Sequence, residues 1–413
     1  MLLAVAVTAG FGLAGAAAVR MYLAERTLQT VARPDLERAL RLAPGNSIAW
    51  ARLGAVLERE GDPEGAARAL REAVRLNSYN APAWVDLGLH YELQGDLKQA
   101  EQCLAEAVRV DNGVATHWAA VNFFIRQSVD DRFWAAMRRL LTRSLVHPNL
   151  VPAFELCWRA SGDPGEILRK AIPDDPEVLR KYFQYLLDTG RKPGLPAVWT
   201  RLAALLEARD LDPALRYADV LLEDRLTTAA VQAWNALTRR GLTPHEALEP
   251  ARGSVVTNGR FRHRPSGRAF DWRTVPADGV SVDIESRGVD VGLWVRLSGA
   301  HPESTELFWQ WMPVEPNRTY QLRFRYRTDG LPPDTGLYWT ARDESGPLRS
   351  ELLTSATLEA RGSWTPSQAR LRTGAVARQA RLIFAYRRSL GTTRGRGWVI
   401  LSDVELLPEG AAP

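Results

Sequence analysis

The stretch "FWQWMPVEP" at residues 308–316 places three large aromatic side chains, Phe308, Trp309 and Trp311, close together. Tryptophan faces stack on the C–H groups of sugar rings, but such side chains also fill β-sandwich cores or pack against another domain or partner. The sequence contains no nucleophile elbow, Walker loop, Rossmann glycine fingerprint or zinc-ligand spacing. We therefore expect no catalytic residues, metal or cofactor, and the role of this stretch becomes the main functional question.

Composition indicates a globular chain of two or three domains, because 46% of the 413 residues are hydrophobic and 24% are charged. The net charge of +5 comes with no basic block or nucleic-acid motif, so we expect no nucleic-acid partner. Cys103 and Cys157 lie in helical patterns, which favours buried free thiols, with a single disulfide as the alternative.

Trp50, Trp84 and Trp118 recur at a spacing of 34 residues. Around them "AWARLGAVLEREGDPEGAARALREAV" is followed by "AWVDLGLHYELQGDLKQAEQCLAEAV", with matching small residues at Gly54 and Gly88. This pattern resembles the tetratricopeptide repeat, a pair of antiparallel helices. We predict such repeats over residues 26–145 and a degenerate helical solenoid of the same kind over residues 146–250.

The resemblance implies a protein partner, because tetratricopeptide solenoids bind proteins on the face formed by the first helix of each pair. The positions expected to line that groove are Ile48, Ala51, Arg52, Ala55, Glu58, Val85, Asp86, Leu89 and Glu92. They lack the Lys and Asn pattern that clamps a C-terminal carboxylate in some family members. The alternative is that part of this surface packs on the next domain of the same chain.

Beyond residue 250 the helical period gives way to short alternating segments, which predicts an antiparallel β-sandwich over residues 251–413. In "TYQLRFRYRT" the aromatic and aliphatic residues alternate with polar ones, so Arg323 and Arg325 point away from the core. Further strands are expected at "GVSVDIES", "GLWVRLSG", "GLYWTARD", "SWTPSQARLRT", "QARLIFAYRR" and "GWVILSDVELL".

This region resembles the carbohydrate-binding-module and galactose-binding-like jelly rolls in its opening "NGRF", its middle segment from Gln310 to Tyr320 and its closing "WVILSDVEL". The resemblance implies that Met312 and Val314 face the core. Phe308 then shares the core face, and Trp309 and Trp311 lie on the opposite face. We predict Trp309, Trp311, Arg323 and Arg325 as a candidate glycan-binding or partner-binding set, with core filling and interdomain packing as alternatives.

Residues 1–19, "MLLAVAVTAGFGLAGAAAV", contain no charge and are long enough for a helix that spans about 28 Å. We predict a transmembrane anchor or uncleaved signal segment over residues 1–25, with a cleaved signal peptide as the alternative. Arg20 and Arg26 follow the segment and favour a cytoplasmic body. The C-terminal sandwich favours a periplasmic or extracytoplasmic body, which we predict.

Together these features predict a multidomain chain with helices first and strands second: a membrane anchor, a tetratricopeptide-type α-solenoid and a C-terminal antiparallel, jelly-roll-like β-sandwich. The predicted function is a non-enzymatic, membrane-anchored scaffold of the bacterial cell envelope. It would bind protein through the solenoid and polysaccharide through the sandwich, in polysaccharide assembly or export. The alternatives are a scaffold that binds no sugar and, least favoured, a glycan-processing enzyme.

Overall fold

The computed structural model describes residues 32–143, 149–287, 290–347 and 349–410. The anchor predicted for residues 1–25 lies outside the described residues. Within them, no helix is both long enough and apolar enough to cross a bilayer.

The first part of the described chain is helical. They are α1 (Arg33–Leu42), α2 (Ser47–Arg59), α3 (Pro63–Leu76), α4 (Ala81–Leu93), α5 (Leu97–Val110), α6 (Val114–Gln127), α7 (Asp131–Arg143), α8 (Val151–Ala160), α9 (Pro164–Lys170), α10 (Pro176–Asp188), α11 (Leu195–Leu202), α12 (Leu211–Glu223) and α13 (Thr227–Arg239). Three short 3₁₀ turns lie between α10 and α12.

The repeated sequence produces repeated local structure. Asp62 and Asp96 cap α3 and α5 by accepting backbone N–H bonds from the first turn of each helix. A Cβ on Gly54 would lie 2.5 Å from Leu70 Cγ, so α2 and α3 approach each other more closely than any larger residue allows. The small residue at this position of the repeat therefore permits close packing within a helix pair.

The second part of the described chain consists of two five-stranded antiparallel sheets. The strands are β1 (Arg273–Thr274), β2 (Val280–Arg287), β3 (Asp290–Ser298), β4 (Ser304–Pro313), β5 (Thr319–Asp329), β6 (Leu337–Asp343), β7 (Ser350–Thr354), β8 (Thr365–Arg372), β9 (Gln379–Arg387) and β10 (Arg396–Pro408). Sheet A has the order β1-β4-β9-β6-β7, and sheet B has the order β2-β3-β10-β5-β8.

The inward faces of the two sheets enclose one apolar core. Its largest members are Trp272, Trp339, Tyr320 and Tyr386, and Phe308 is buried with them. Side chains alternate along each strand, so every inward residue has outward neighbours on the same strand. Function at the surface of this sandwich must therefore come from the outward faces or the loops.

The chain divides into two compact units, Met1–Tyr182 and Phe183–Pro413. The change from helix to strand lies after residue 250, close to the predicted start of the sandwich. The compact unit that contains the sandwich nevertheless begins earlier, inside α10. Helices α11, α12 and α13 therefore belong to the same unit as the two sheets.

Candidate functional site

Helices α2, α4 and α6 contact one another in succession and form one layer of the repeats. Most predicted groove positions on α2 and α4 reach solvent, and Ile48 and Leu89 are 56% and 46% exposed. We call the following residues the groove: Ile48, Arg52, Ala55, Glu58, Val85, Asp86, Leu89 and Glu92. The prediction for Ala51 was wrong, because this residue is turned into the core beside Leu70 and Ala83.

Two of the three groove carboxylates have partners on neighbouring helices. Glu58 Oε2 lies 2.7 Å from Nδ1 of the buried His90. Glu92 accepts bonds from Arg126 Nε and Nη2 at 2.8 and 2.6 Å. These carboxylates connect one helix pair to the next, so their first role is structural.

Asp86 differs from the other two groove carboxylates. It is half-buried on α4 and has no hydrogen-bond or ion-pair partner among the described residues. Burial raises the pKa of its carboxyl group, and no neighbouring cation opposes that effect. The groove therefore contains one partly desolvated negative charge that none of the described residues neutralises.

The predicted orientation of "FWQWMPVEP" is observed in β4. Phe308 and Met312 are fully buried in the core, whereas Trp309 and Trp311 are half-buried on the outward face of sheet A. Gln310 shares the core face and bonds to the backbone of Thr257. The alternation of strand side chains thus separates the two tryptophans from the core.

Arginines cover the outward tryptophans. The Arg381 guanidinium lies 3.9 Å from the ring centre of Trp309 and 5.7 Å from that of Trp311, and the Arg273 guanidinium lies 4.7 Å from Trp309. The two indoles are nearly perpendicular, with an interplanar angle of 86°. A sugar ring that stacked on Trp309 would have to displace a guanidinium, so this pair is not an open, flat platform.

Helices α12 and α13 pack at the same sheet, and α12 holds Arg273. Asp219 on α12 forms an ion pair with Arg273 and accepts a bond from Ala269 N at 2.7 Å. Thr227, at the start of α13, donates to Gln379 Oε1 at 2.8 Å, and this buried glutamine of β9 donates back to Leu222 O at 3.0 Å. Sheet A is therefore attached to the last helix pair of the chain.

The predicted combination of Trp309 and Trp311 with Arg323 and Arg325 into one set was wrong. The tryptophans lie on β4 of sheet A, whereas the arginines lie on β5 of sheet B. Outward faces of the two sheets of a sandwich point in opposite directions. The chain crosses from one sheet to the other between β4 and β5, so neighbours in sequence end on opposite surfaces.

Three tryptophans accompany the arginines on the outward face of sheet B. A guanidinium group lies over each of these rings. The distances to the ring centres are 4.6 Å for Arg325 over Trp364, 5.2 Å for Arg327 over Trp398 and 5.6 Å for Arg296 over Trp294. Trp294 is buried beneath this surface, whereas Trp364 and Trp398 are half-exposed. The face thus combines π surfaces with planar hydrogen-bond donors.

A cavity of about 560 Å³ opens on this face. It is lined by Arg260, Arg323, Phe324, Arg325, Pro366, Ser367, Gln368, Asp403 and Glu405. A bulge in β10 between Ser402 and Glu405 turns Asp403 towards Arg325, with which it forms an ion pair. Arg323 instead donates to Gln321 Oε1 at 2.9 and 2.7 Å.

The sequence contains a local signal for the outward orientation of Trp294 and Trp398. In "GLWVRLSG" the core residues Leu293 and Val295 flank Trp294, and in "GWVILSD" the core residue Val399 follows Trp398. Alternation alone therefore assigns both tryptophans to the outward face. It does not reveal that both strands belong to the sheet that contains Arg325.

A second cavity of about 640 Å³ lies beside the loop that follows α13. His245 stacks on Trp234 there, and its Nε2 lies 3.7 Å from the buried Asp271. Asp271 also accepts backbone bonds from Ser266 and Trp272. Among the described residues, no group of three or more His, Cys, Asp or Glu side chains is arranged to hold a metal ion.

Residues 30–81 and 57–121 match two family models, each described as tetratricopeptide repeat. A structure reported as "CBM4 structure and function" aligns at 15% identity over 37% of this chain and 98% of that one, with a TM-score of 0.29. "Functional Characterization of Pseudomonas Aeruginosa pilF" aligns at 22% identity over 55% and 93%, with a TM-score of 0.23.

"Crystal structure of YrrB: a TPR protein with an unusual peptide-binding site" aligns at 12% identity over 51% of this chain and 94% of that one, with a TM-score of 0.23. A search of curated proteins returns no match. The family models establish that the N-terminal helices include tetratricopeptide repeats.

Proposed function

We propose that this chain is a non-enzymatic scaffold that binds a protein segment in the groove. The exposed apolar side chains of Ile48 and Leu89 carry this proposal, because they lie on successive first helices of tetratricopeptide repeats. A partner that covers these apolar side chains removes them from water, which stabilises the complex by about 25 cal/mol per Å² of apolar surface buried. The repeats themselves indicate protein–protein interaction.

A photo-crosslinking experiment in cells that express the full chain tests this proposal. p-Benzoylphenylalanine replaces Leu89 in one variant and Tyr79 in the other; Tyr79 is 75% exposed and lies in the turn before α4, outside the groove. We expect a discrete protein adduct from position 89 and none from position 79. Equal adducts from both positions, or none from position 89, would contradict a partner in the groove.

Saccharide binding on the outward face of sheet B is the second candidate function. Its support is the combination of Trp364 and Trp398 with Arg323, Arg325 and a cavity of about 560 Å³. Indole rings supply stacking surfaces and guanidinium groups supply directed donors, which together match the C–H faces and hydroxyl groups of a sugar. A guanidinium group lies over Trp364 and over Trp398 as well, so arginine cover does not separate the two sets. The tryptophans of sheet A are the less suitable pair because α12 and α13 pack at the same sheet.

A glycan array probed with the full chain separates the two tryptophan sets. We expect the glycans that the wild type retains to bind the Trp364→Ala variant about 10-fold more weakly than the wild type, because one stacking surface is lost. Trp311→Ala is the matched control on the opposite face and should bind as the wild type does. Loss of binding in Trp311→Ala alone would place the site on sheet A instead. If the array retains no glycan, this function is excluded.

The proposal places the scaffold at the bacterial cell envelope, attached by residues 1–25. Its support is the uncharged run of residues 1–19 in the sequence. We expect a periplasmic reporter fused after Pro413 to be active and the protein to sediment with membranes. Activity of a cytoplasmic reporter at the same position would contradict the extracytoplasmic assignment.

A further inference from the structure

An apolar stripe runs along α4 from the groove residues Val85 and Leu89 to Leu93, which lies next to the groove. Val85, Leu89 and Leu93 follow one another at intervals of four residues, which places them on one side of the helix. Leu89 and Leu93 are 46% and 62% exposed, and Val85 is half-buried. A partner that covers this stripe must present apolar side chains of its own.

Asp86 lies beside this stripe, three residues before Leu89. Glu58 and Glu92 are held by His90 and Arg126, but Asp86 has no such partner among the described residues. A partly buried charge without a counter-ion destabilises the fold that contains it, because it has lost water and gained nothing in exchange. A cation brought by the partner would supply the missing interaction.

We infer that the groove selects a segment in which a Lys or Arg side chain accompanies apolar side chains, with the cation placed on Asp86. This inference rests on the proposed protein-binding function and specifies the chemistry of the partner. A carboxylate in a partly desolvated groove attracts a complementary cation and repels an acidic segment, so it determines specificity as well as affinity. The preference is opposite to that of a groove that clamps a carboxylate.

Phage display on the immobilised full chain tests the inference, with a library of random 12-residue peptides as the probe. We expect the enriched peptides to share a basic residue near two apolar residues. A synthetic peptide of the enriched sequence should bind Asp86→Asn about 10- to 100-fold more weakly, as expected when a charged hydrogen bond is lost. Asp131→Asn is the matched control, because its carboxylate is 90% exposed and lies on α7.

Stability measurements on the same variants distinguish recognition from a structural role. Asn removes the uncompensated charge of Asp86 without a change of shape, so Asp86→Asn should unfold at the same temperature as the wild type or higher. A lower unfolding temperature would assign Asp86 to the fold and overturn the inference. Weaker peptide binding with unchanged or greater stability supports it.

The possible outcomes also separate this inference from the proposed function. If no peptide is enriched over the uncoated support, both fail, because the groove then binds no linear segment. If peptides are enriched without a basic residue, or bind Asp86→Asn and the wild type equally, the groove binds protein but Asp86 does not select a cation. Enrichment of acidic peptides would reverse the inferred preference.

Discussion

Asp219→Ala should destabilise the unit that contains the sandwich. Its carboxylate and the side chain of Arg273 are each only 16% exposed, and the same carboxylate accepts the Ala269 N–H at 2.7 Å. The ion pair between Asp219 and Arg268 is more exposed and contributes little to the free energy of unfolding. Removing one partner of a buried pair costs about 3–5 kcal/mol.

We expect a loss at the lower end of this range, about 3 kcal/mol, because Arg273 keeps its 2.8 Å bond to Ala269 O. For a unit of this size that free energy corresponds to a decrease of roughly 6–12 °C in the unfolding midpoint. Differential scanning calorimetry of the full chain measures the shift directly.

Asp283→Ala is the matched control for this measurement. Asp283 lies on β2, its carboxylate is 57% exposed and its nearest cation, Arg296, is 3.7 Å away. We expect a change below about 1 kcal/mol, as for other surface pairs. If the unfolding midpoints of Asp219→Ala and Asp283→Ala differ by less than about 1 °C, the conclusion that Asp219 attaches α12 to the sandwich is wrong.

Two further predictions concern close packing and thiol reactivity. A Cβ on Gly259 would lie 1.9 Å from Val404 O, so Gly259→Ala should abolish the unfolding transition of the sandwich in calorimetry. The control is Gly362→Ala, which has open space around the new Cβ and should unfold as the wild type does. Burial raises the pKa of Cys103 to about 11 and that of Cys157 to about 12. At pH 8 iodoacetamide should therefore modify neither thiol in the native protein and both in urea, as mass spectrometry can show; rapid native modification would contradict their burial.

Local patterns in the sequence predict much of this fold. The spacing of Trp50 and Trp84 predicts two helix pairs, and each indole donates to a backbone carbonyl six residues earlier, at 2.8 and 2.9 Å. Alternation predicts the strand that contains Arg323 and the orientation of Trp309 in its own strand. Both are short-range properties, because they depend only on which side of one helix or strand a residue occupies.

The candidate site on sheet B depends on long-range pairing, which alternation does not encode. Arg325 and Trp364 come together because β5 pairs with β8, with Tyr326 opposite Thr365. The attachment of α12 and α13 to sheet A depends on contacts such as Thr227 with Gln379, which are 152 residues apart in sequence. One sequence without aligned relatives contains no periodic signal for such pairs.

The attachment of α12 and α13 to sheet A also limits the valency of the sandwich. Asp219 and Gln379 commit that side of the sandwich to the chain's own helices, whereas Trp364 and Arg323 lie on the opposite side. If the outward face of sheet B binds a saccharide as proposed, the sandwich would hold one polysaccharide strand and would not bridge two. Any cross-linking of polymer by this protein would therefore require several copies of the chain.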